Sequence, residues 1–191
     1  GLDILKKLER AGRTCYKSED LITDDSCIKF VKRMLDSKHE SVIEHESISV
    51  RFICDRGISH EIVRHRLASF SQESTRYINY TKESKGGECT FIDIREYMND
   101  SAYSLWCGQM FEAEKYYKLL IDEGVSPQIA RSVLPNSLKT EIVVTCNLRE
   151  WRTIFKQRTA VAAHPQMREL MQPLLDELKV KLPVLFDDIN Y

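Results

Sequence analysis

Arg64-His65-Arg66 is followed, after a gap of seven residues, by Ser74 and then Arg76. Ser69, Ser71, Gln72, Ser74 and Thr75 place short polar side chains through the same stretch, and Phe70, Tyr77 and Tyr80 add flat apolar faces. Guanidinium forks, hydroxyls and backbone N–H groups are what a phosphate requires. Aromatic faces are what a planar ring requires. Further arginines are Arg149 and Arg158, at the ends of an expected helix, and Arg131, within another. Gathered on one cleft with the Ser/Thr-rich loop, they would hold an anionic nucleotide.

Other chemistries fit less well. His60 and His65 resemble a zinc HExxH pair, but they stand five residues apart. On a helix that step turns the two side chains about 140° away from each other, so no metal site is expected. Ser74 lacks the glycines of a nucleophile elbow, and a serine in a turn serves more often as a hydrogen-bonding group. Cys54 and Cys146 lie in expected strands, where burial is the default. No GxGxxG or Walker loop is present, so a nucleotide would be held by side chains, arginines above all.

The chain has 191 residues, a net charge of −1 and six cysteines. That length fits a single domain over residues 1–191. Near-neutral charge argues against a partner that is a nucleic-acid polymer and leaves the positive charge local. Scattered cysteines without a CxxC pair suggest free thiols in a reducing compartment, the cytoplasm. No apolar run reaches membrane-spanning length, and Gly1 reads as a trimmed start.

The elements that must position these groups follow from periodicity. Residues 2–12 form an amphipathic helix closed by Gly12, and a second helix, capped by Thr23 or Asp24, carries Ile28, Val31, Met34 and Leu35. Residues 38–45 are a polar connector. Alternation over 48–54 predicts a strand. A helix over 58–66 places Glu61, Arg64 and His65 on one face, and residues 67–88 read as a long loop. Cys89–Ile94 suggests a short strand. A long helix from Asp100 to Glu123, stopped by Gly124, packs Leu105, Trp106, Met110, Phe111, Tyr117 and Leu120. Ser126-Pro127 starts a helix with Arg131 in its middle, and 138–146 is a strand. Asn147 caps a helix through Arg158 with Leu148, Trp151, Ile154 and Phe155 inward. A last helix begins near His164-Pro165 and is kinked at Pro173. Helices outnumber strands without regular alternation, which indicates an α+β fold with a mixed or antiparallel sheet.

Arg-His-Arg-x7-Ser-x-Arg-Tyr, with Gln72-Glu73-Ser74-Thr75-Arg76-Tyr77 inside it and Arg131, Asn147-x-Arg149 and Arg158 downstream, resembles the flavin-dependent thymidylate synthases. The resemblance covers roughly residues 36–170. It implies an α+β homotetramer that binds FAD and converts dUMP to dTMP, with 5,10-methylenetetrahydrofolate as one-carbon donor and NADPH as reductant. It assigns FAD contacts to Ser41, Arg64, His65, Arg66, Gln72, Asn147 and Arg149, with Glu44 nearby. It assigns dUMP contacts to Glu61, Arg64, Gln72, Glu73, Ser74, Thr75, Arg76 and Arg131. Arg158 is placed beside the uracil as the catalytic cation. Thr153 and His164 complete the flavin set, although the family favours Asn or His at the first and a shorter spacing from Arg158 to the second. Two rival classes are a single-stranded nucleic-acid binding module using Arg and Tyr and a flavoprotein reductase acting on another nucleotide.

Overall fold

Helices carry most of the chain, and three strands make one small sheet. The computed structural model describes residues 1–191. Its elements are α1 (Leu2–Thr14), α2 (Ser26–Asp36), β1 (Ser47–Asp55), α3 (Arg56–Ile62), β2 (Ala68–Gln72), α4 (Asp100–Asp122), α5 (Pro127–Ala130), β3 (Lys139–Asn147), α6 (Leu148–Arg158) and α7 (Pro165–Lys181). The strand order is β1-β3-β2. The Leu148 N–H donates to the Glu46 carbonyl at 3.0 Å, which sets the start of β1 beside the end of β3 in antiparallel sense. The α+β expectation holds. Two compact units are distinguished, Gly1–Val50 with His65–Ser69 and Val144–Tyr191, and Arg51–Arg64 with Phe70–Val143. All three strands contribute residues to both.

In the first unit α6 is the organising helix. Asn147 accepts the Glu150 N–H at 2.9 Å and so satisfies one orphan donor of the first turn. Leu148, Trp151, Ile154 and Phe155 form its buried face, as their spacing predicts. Trp151 stacks on Phe155 with centroids 5.6 Å apart, and Phe155 meets Phe186 edge-on at 5.5 Å. The Trp151 indole N–H donates to the Ile48 carbonyl at 3.1 Å. Each such side chain contributes about 2–3 kcal/mol by burial. Met167, Met171, Leu175 and Leu178 bury one face of α7, which continues through Pro173.

In the second unit Asp55 caps α3 by accepting the Ile58 N–H at 2.7 Å. Helix α4 is capped by Asn99 and ends in a Schellman motif. Gly124 sits at φ +81°, Val125 N–H bonds the Leu120 carbonyl, and Gly124 N–H bonds that of Ile121. Tyr80, Cys89, Tyr117, Ala130 and Leu138 form a core cluster.

Several local expectations are corrected. Gly12 does not close α1; the helix runs on to Thr14, and Gly12 is buried against the Phe30 ring. Helix α2 starts at Ser26 behind Asp25, and Phe30 and Cys27 join its buried face. Residues 40–45 form a 3-10 turn that buries Val42 and Ile43. Helix α3 ends at Ile62, so Arg64 and His65 lie beyond it. The expected loop contains β2, whose Ala-Ser-Phe-Ser-Gln sequence alternates in burial but has no β-branched residue. Phe91 makes only an isolated bridge to Leu138. Arg131 follows α5 and begins a 3-10 turn instead of lying mid-helix. Leu105 and Phe111, expected in the core, are 76% and 66% exposed. The six cysteines are free thiols.

Candidate active site

Arg158 ends α6, and its Nε donates to His65 Nε2 at 2.9 Å. His65 is only 6% exposed. On its other edge, Nδ1 lies 3.7 Å from Glu150 Oε1. An imidazolium carries no acceptor, so this arrangement requires a neutral ring with its proton on Nδ1, facing Glu150. Burial and then the Arg158 charge push the His65 pKa down to about 4. Burial raises that of Glu150. With the ring neutral, the contact to Glu150 is dipolar, not an ion pair, and at 3.7 Å it is longer than a direct hydrogen bond.

A cleft of about 590 Å³ in the same unit is lined by Glu44, Leu67, Asn147, Arg149, Glu150 and Thr153. Arg149 is tied down there. Its Nη1 meets Glu44 at 2.5 Å and its Nε lies 3.5 Å from Glu40. Thr153 Oγ1 donates to the Arg149 carbonyl at 3.3 Å. Asn147, Arg149 and Thr153 are therefore brought together. Ser41, Arg66 and His164 are exposed in the same unit and do not line this cleft.

In the second unit the turn after β2 is held from several sides. Glu73 Oε1 accepts the Tyr80 hydroxyl at 2.8 Å, its Oε2 pairs with Lys139 at 3.2 Å, and its N–H bonds the Glu141 carbonyl. Gln72 spends both amide protons internally, on Ser59 Oγ at 2.8 Å and Thr140 Oγ1 at 3.2 Å. Gln72 and Glu73 line a cleft of about 490 Å³ with Arg51, Tyr80, Lys139 and Glu141. The Ser74 hydroxyl accepts the Arg76 N–H at 3.3 Å.

Thr75 is 4% exposed, and its Oγ1 accepts from Arg131 Nη1 at 3.0 Å. These two residues line a separate cleft of about 420 Å³ with Arg56, His60, Gln128, Ser132 and Asn136, and no carboxylate lines it. Glu61 is half-buried on α3, while Arg64 and Arg76 are exposed.

Arg64, Arg66, Arg76 and Arg131 form no ion pair within the chain, unlike Arg13, Arg51, Arg95, Arg149 and Arg152. Unneutralised guanidinium groups suit phosphate and pyrophosphate oxygens. The 590 Å³ cleft is within the size range of cofactor sites. The residues of this cleft, by its size and by the Asn147 and Arg149 donors in its lining, suit part of a flavin nucleotide. No activated thiol accompanies them: burial pushes Cys54 and Cys146 up to about 12.

Sequence reasoning missed Glu150, Arg56 and Lys139. The one sequence signal at Glu150, its place three residues after the helix cap Asn147, is that of a capping-box carboxylate and points to the helix terminus, not to His65. Arg56 and Lys139 had none, because the first residue of α3 and the first of β3 are placed by contacts distant in sequence.

The family model described as thymidylate synthase complementing protein matches residues 3–184. The flavin-dependent thymidylate synthase of Pyrococcus furiosus is 35% identical over 169 residues, covering 87% of this chain and 68% of that protein. The chain belongs to the flavin-dependent thymidylate synthase family. The probable flavin-dependent thymidylate synthase of Mycobacterium phage D29 is 33% identical over 95% of this chain and 81% of its own. A crystal structure of the Helicobacter pylori flavin-dependent thymidylate synthase, complexed with FAD and dUMP, superposes with a TM-score of 0.78 at 25% identity, covering 98% of this chain and 95% of that one. This family member spans about two thirds of the length of its Pyrococcus relatives, 68% for Pyrococcus furiosus and 66% for Pyrococcus abyssi. None of its helices is long and apolar enough to cross a membrane.

Proposed function

We propose that this chain, acting as one functional domain, methylates dUMP reductively to dTMP, with 5,10-methylenetetrahydrofolate as one-carbon donor and FAD reduced by NADPH. The reading is carried by the arginines at the family's motif positions, Arg64, Arg66, Arg76 and Arg131, which have no carboxylate partner in the chain. The reaction balances as dUMP, methylenetetrahydrofolate, NADPH and a proton giving dTMP, tetrahydrofolate and NADP⁺. Bound FAD supplies the two-electron relay between NADPH and the one-carbon unit.

The protein's own part is binding and charge. Arg131 and Thr75, with Ser74 and Arg76 in the adjoining turn, hold the nucleotide phosphate and sugar. Glu61 and Arg64 complete that set, and Gln72 and Glu73 fix the turn through their internal bonds. Arg64, Arg66 and Ser41 take the flavin phosphates. Asn147, Arg149, Thr153, His65 and His164 border its ring system. Arg158 stands at the uracil, where a fixed cation stabilises the ring anion as electron density builds toward C5. No protein nucleophile is required.

Exposed Leu105 and Phe111 on α4 support assembly into a homotetramer, and the free thiols are consistent with the cytoplasm. The deciding experiment is an absorbance scan between about 350 and 500 nm, followed by NADPH oxidation with and without dUMP and direct detection of dTMP. A yellow protein that forms dTMP is expected. A colourless protein that FAD cannot reconstitute would refute the assignment, and oxidation without dTMP would indicate a reductase acting on another nucleotide.

A further inference from the structure

Glu150 is buried, 8% exposed, yet its carboxylate does not do what its position suggests. It stands at the third residue of α6, where a capping box would turn it back to the Asn147 N–H. Only half of that box is made: Asn147 accepts the Glu150 N–H, and the Glu150 carboxylate faces the His65 imidazole at 3.7 Å. His65 in turn accepts from Arg158 at the far end of the same helix. Eight residues, about 12 Å of helix axis, separate Glu150 from Arg158. One imidazole therefore spans from the first turn of α6 to its last.

We propose that His65 and Glu150 are positioning residues for Arg158. The neutral imidazole accepts at Nε2 and fixes the plane of the guanidinium. Glu150 favours the tautomer protonated at Nδ1, the one that leaves Nε2 able to accept. A guanidinium can rotate about four side-chain bonds, and a buried acceptor on Nε removes most of that freedom before any substrate arrives. Neither residue need touch the reacting atoms for this. The assignment rests on the reading of Arg158 as the uracil-side cation, and it adds Glu150 to the residues the reaction needs.

The test uses Glu150→Leu, which has no acceptor for Nδ1–H, with His65→Leu, His65→Gln and Arg158→Ala. The first readout is the Arg158 Nε–H resonance in flavin-free protein labelled with ¹⁵N-arginine, identified by its loss in Arg158→Ala. His65→Leu abolishes its downfield, slowly exchanging character, and His65→Gln, whose side-chain oxygen can accept, restores it. The second readout is dUMP-dependent turnover. In Glu150→Leu and His65→Leu, kcat falls about 10- to 100-fold, the scale of a misplaced group, while KM for dUMP changes less than about three-fold. His65→Gln recovers part of kcat. An unchanged resonance in His65→Leu, or unchanged kcat in Glu150→Leu beside an inactive Arg158→Ala, overturns the proposal. Glu150→Leu carries the test by itself if His65→Leu does not fold. Full activity in Arg158→Ala would instead overturn the reading of Arg158.

Discussion

Arg158 Nε and His65 Nε2 lie 2.9 Å apart, with the imidazole buried. Protonating the ring would set two cations' donors against each other around an imidazole that is only 6% exposed. The pair therefore forms only when His65 is neutral.

Stability should consequently fall in mild acid. In the unfolded chain His65 binds a proton below about pH 6.5, whereas in the fold it does so only near 4. Between those values the unfolded state holds the extra proton, so lowering the pH favours unfolding. The contribution is complete above about pH 6.5 and is lost as pH falls toward about 4, at most roughly 3 kcal/mol. Glu150, shifted up by burial, acts in the opposite direction. The measurement is therefore a difference: denaturant midpoints of wild type and His65→Gln against pH. The gap between the two curves narrows from pH 7 to pH 4.5. Parallel curves would show that the ring titrates normally.

Arg131 and Thr75 make the second test. Thr75→Val keeps the shape but removes the acceptor at 3.0 Å, loosening Arg131 in a cleft without carboxylates. One hydrogen bond to a charged group is worth about 1.5 kcal/mol. The expected result is about a ten-fold rise in the dUMP dissociation constant with unchanged flavin content. Arg131→Ala should cost more than Thr75→Val. Titration calorimetry with dUMP checks both, and an unaltered affinity in Arg131→Ala would remove this residue from the nucleotide site.

The helices and their caps were legible because local chemistry decides them. Asn147 and Gly124 act where their residue types predict, and the buried faces of α6 and α7 follow the 3.6-residue period. β2 was not legible, because a five-residue Ala-Ser-Phe-Ser-Gln strand without a β-branched residue owes its state to its neighbour β3. The end of α3 was misplaced for a related reason: His65 leaves the helical pattern and is fixed by Arg158 and Glu150, residues far along the chain. The candidate site follows the same division. The motif residues were readable one by one. Their partners, Glu150 for His65 and Tyr80 and Lys139 for Glu73, come from tertiary contacts that no spacing encodes.

Asn147 has two separable duties. As cap it accepts from the Glu150 N–H through Oδ1, and on the proposed function it also offers amide protons to a flavin from the cleft it lines. Asn147→Asp retains the acceptor and loses the donors. It should unfold within a few tenths of a kcal/mol of wild type yet bind FAD more weakly. Asn147→Ala loses the cap as well, at about 1 kcal/mol. Thermal melts of flavin-free protein beside FAD titrations separate the two effects. Equal flavin affinity in wild type and Asn147→Asp would confine Asn147 to capping.

Gly12 lies inside α1, where alanine would ordinarily gain about 1 kcal/mol. Here it should lose. A Cβ at Gly12 would lie 2.7 Å from two ring carbons of Phe30 and 3.2 Å from Val42 Cγ1. The Phe30 ring is buried and has the Arg13 and Arg33 guanidinium groups 5.0 and 5.5 Å from its centroid, so it has little room to retreat. Overpacking of this kind costs about 1–3 kcal/mol, enough to outweigh the helix term. Gly12→Ala should lower the melting temperature by about 2–6 °C for a chain of this size. Because the cost comes from one contact, it should be coupled to that contact. Phe30→Leu, destabilising on its own, should relieve it, so the double variant is more stable than the two single losses added together. Strict additivity would show that Gly12 is needed for some reason other than the Phe30 ring.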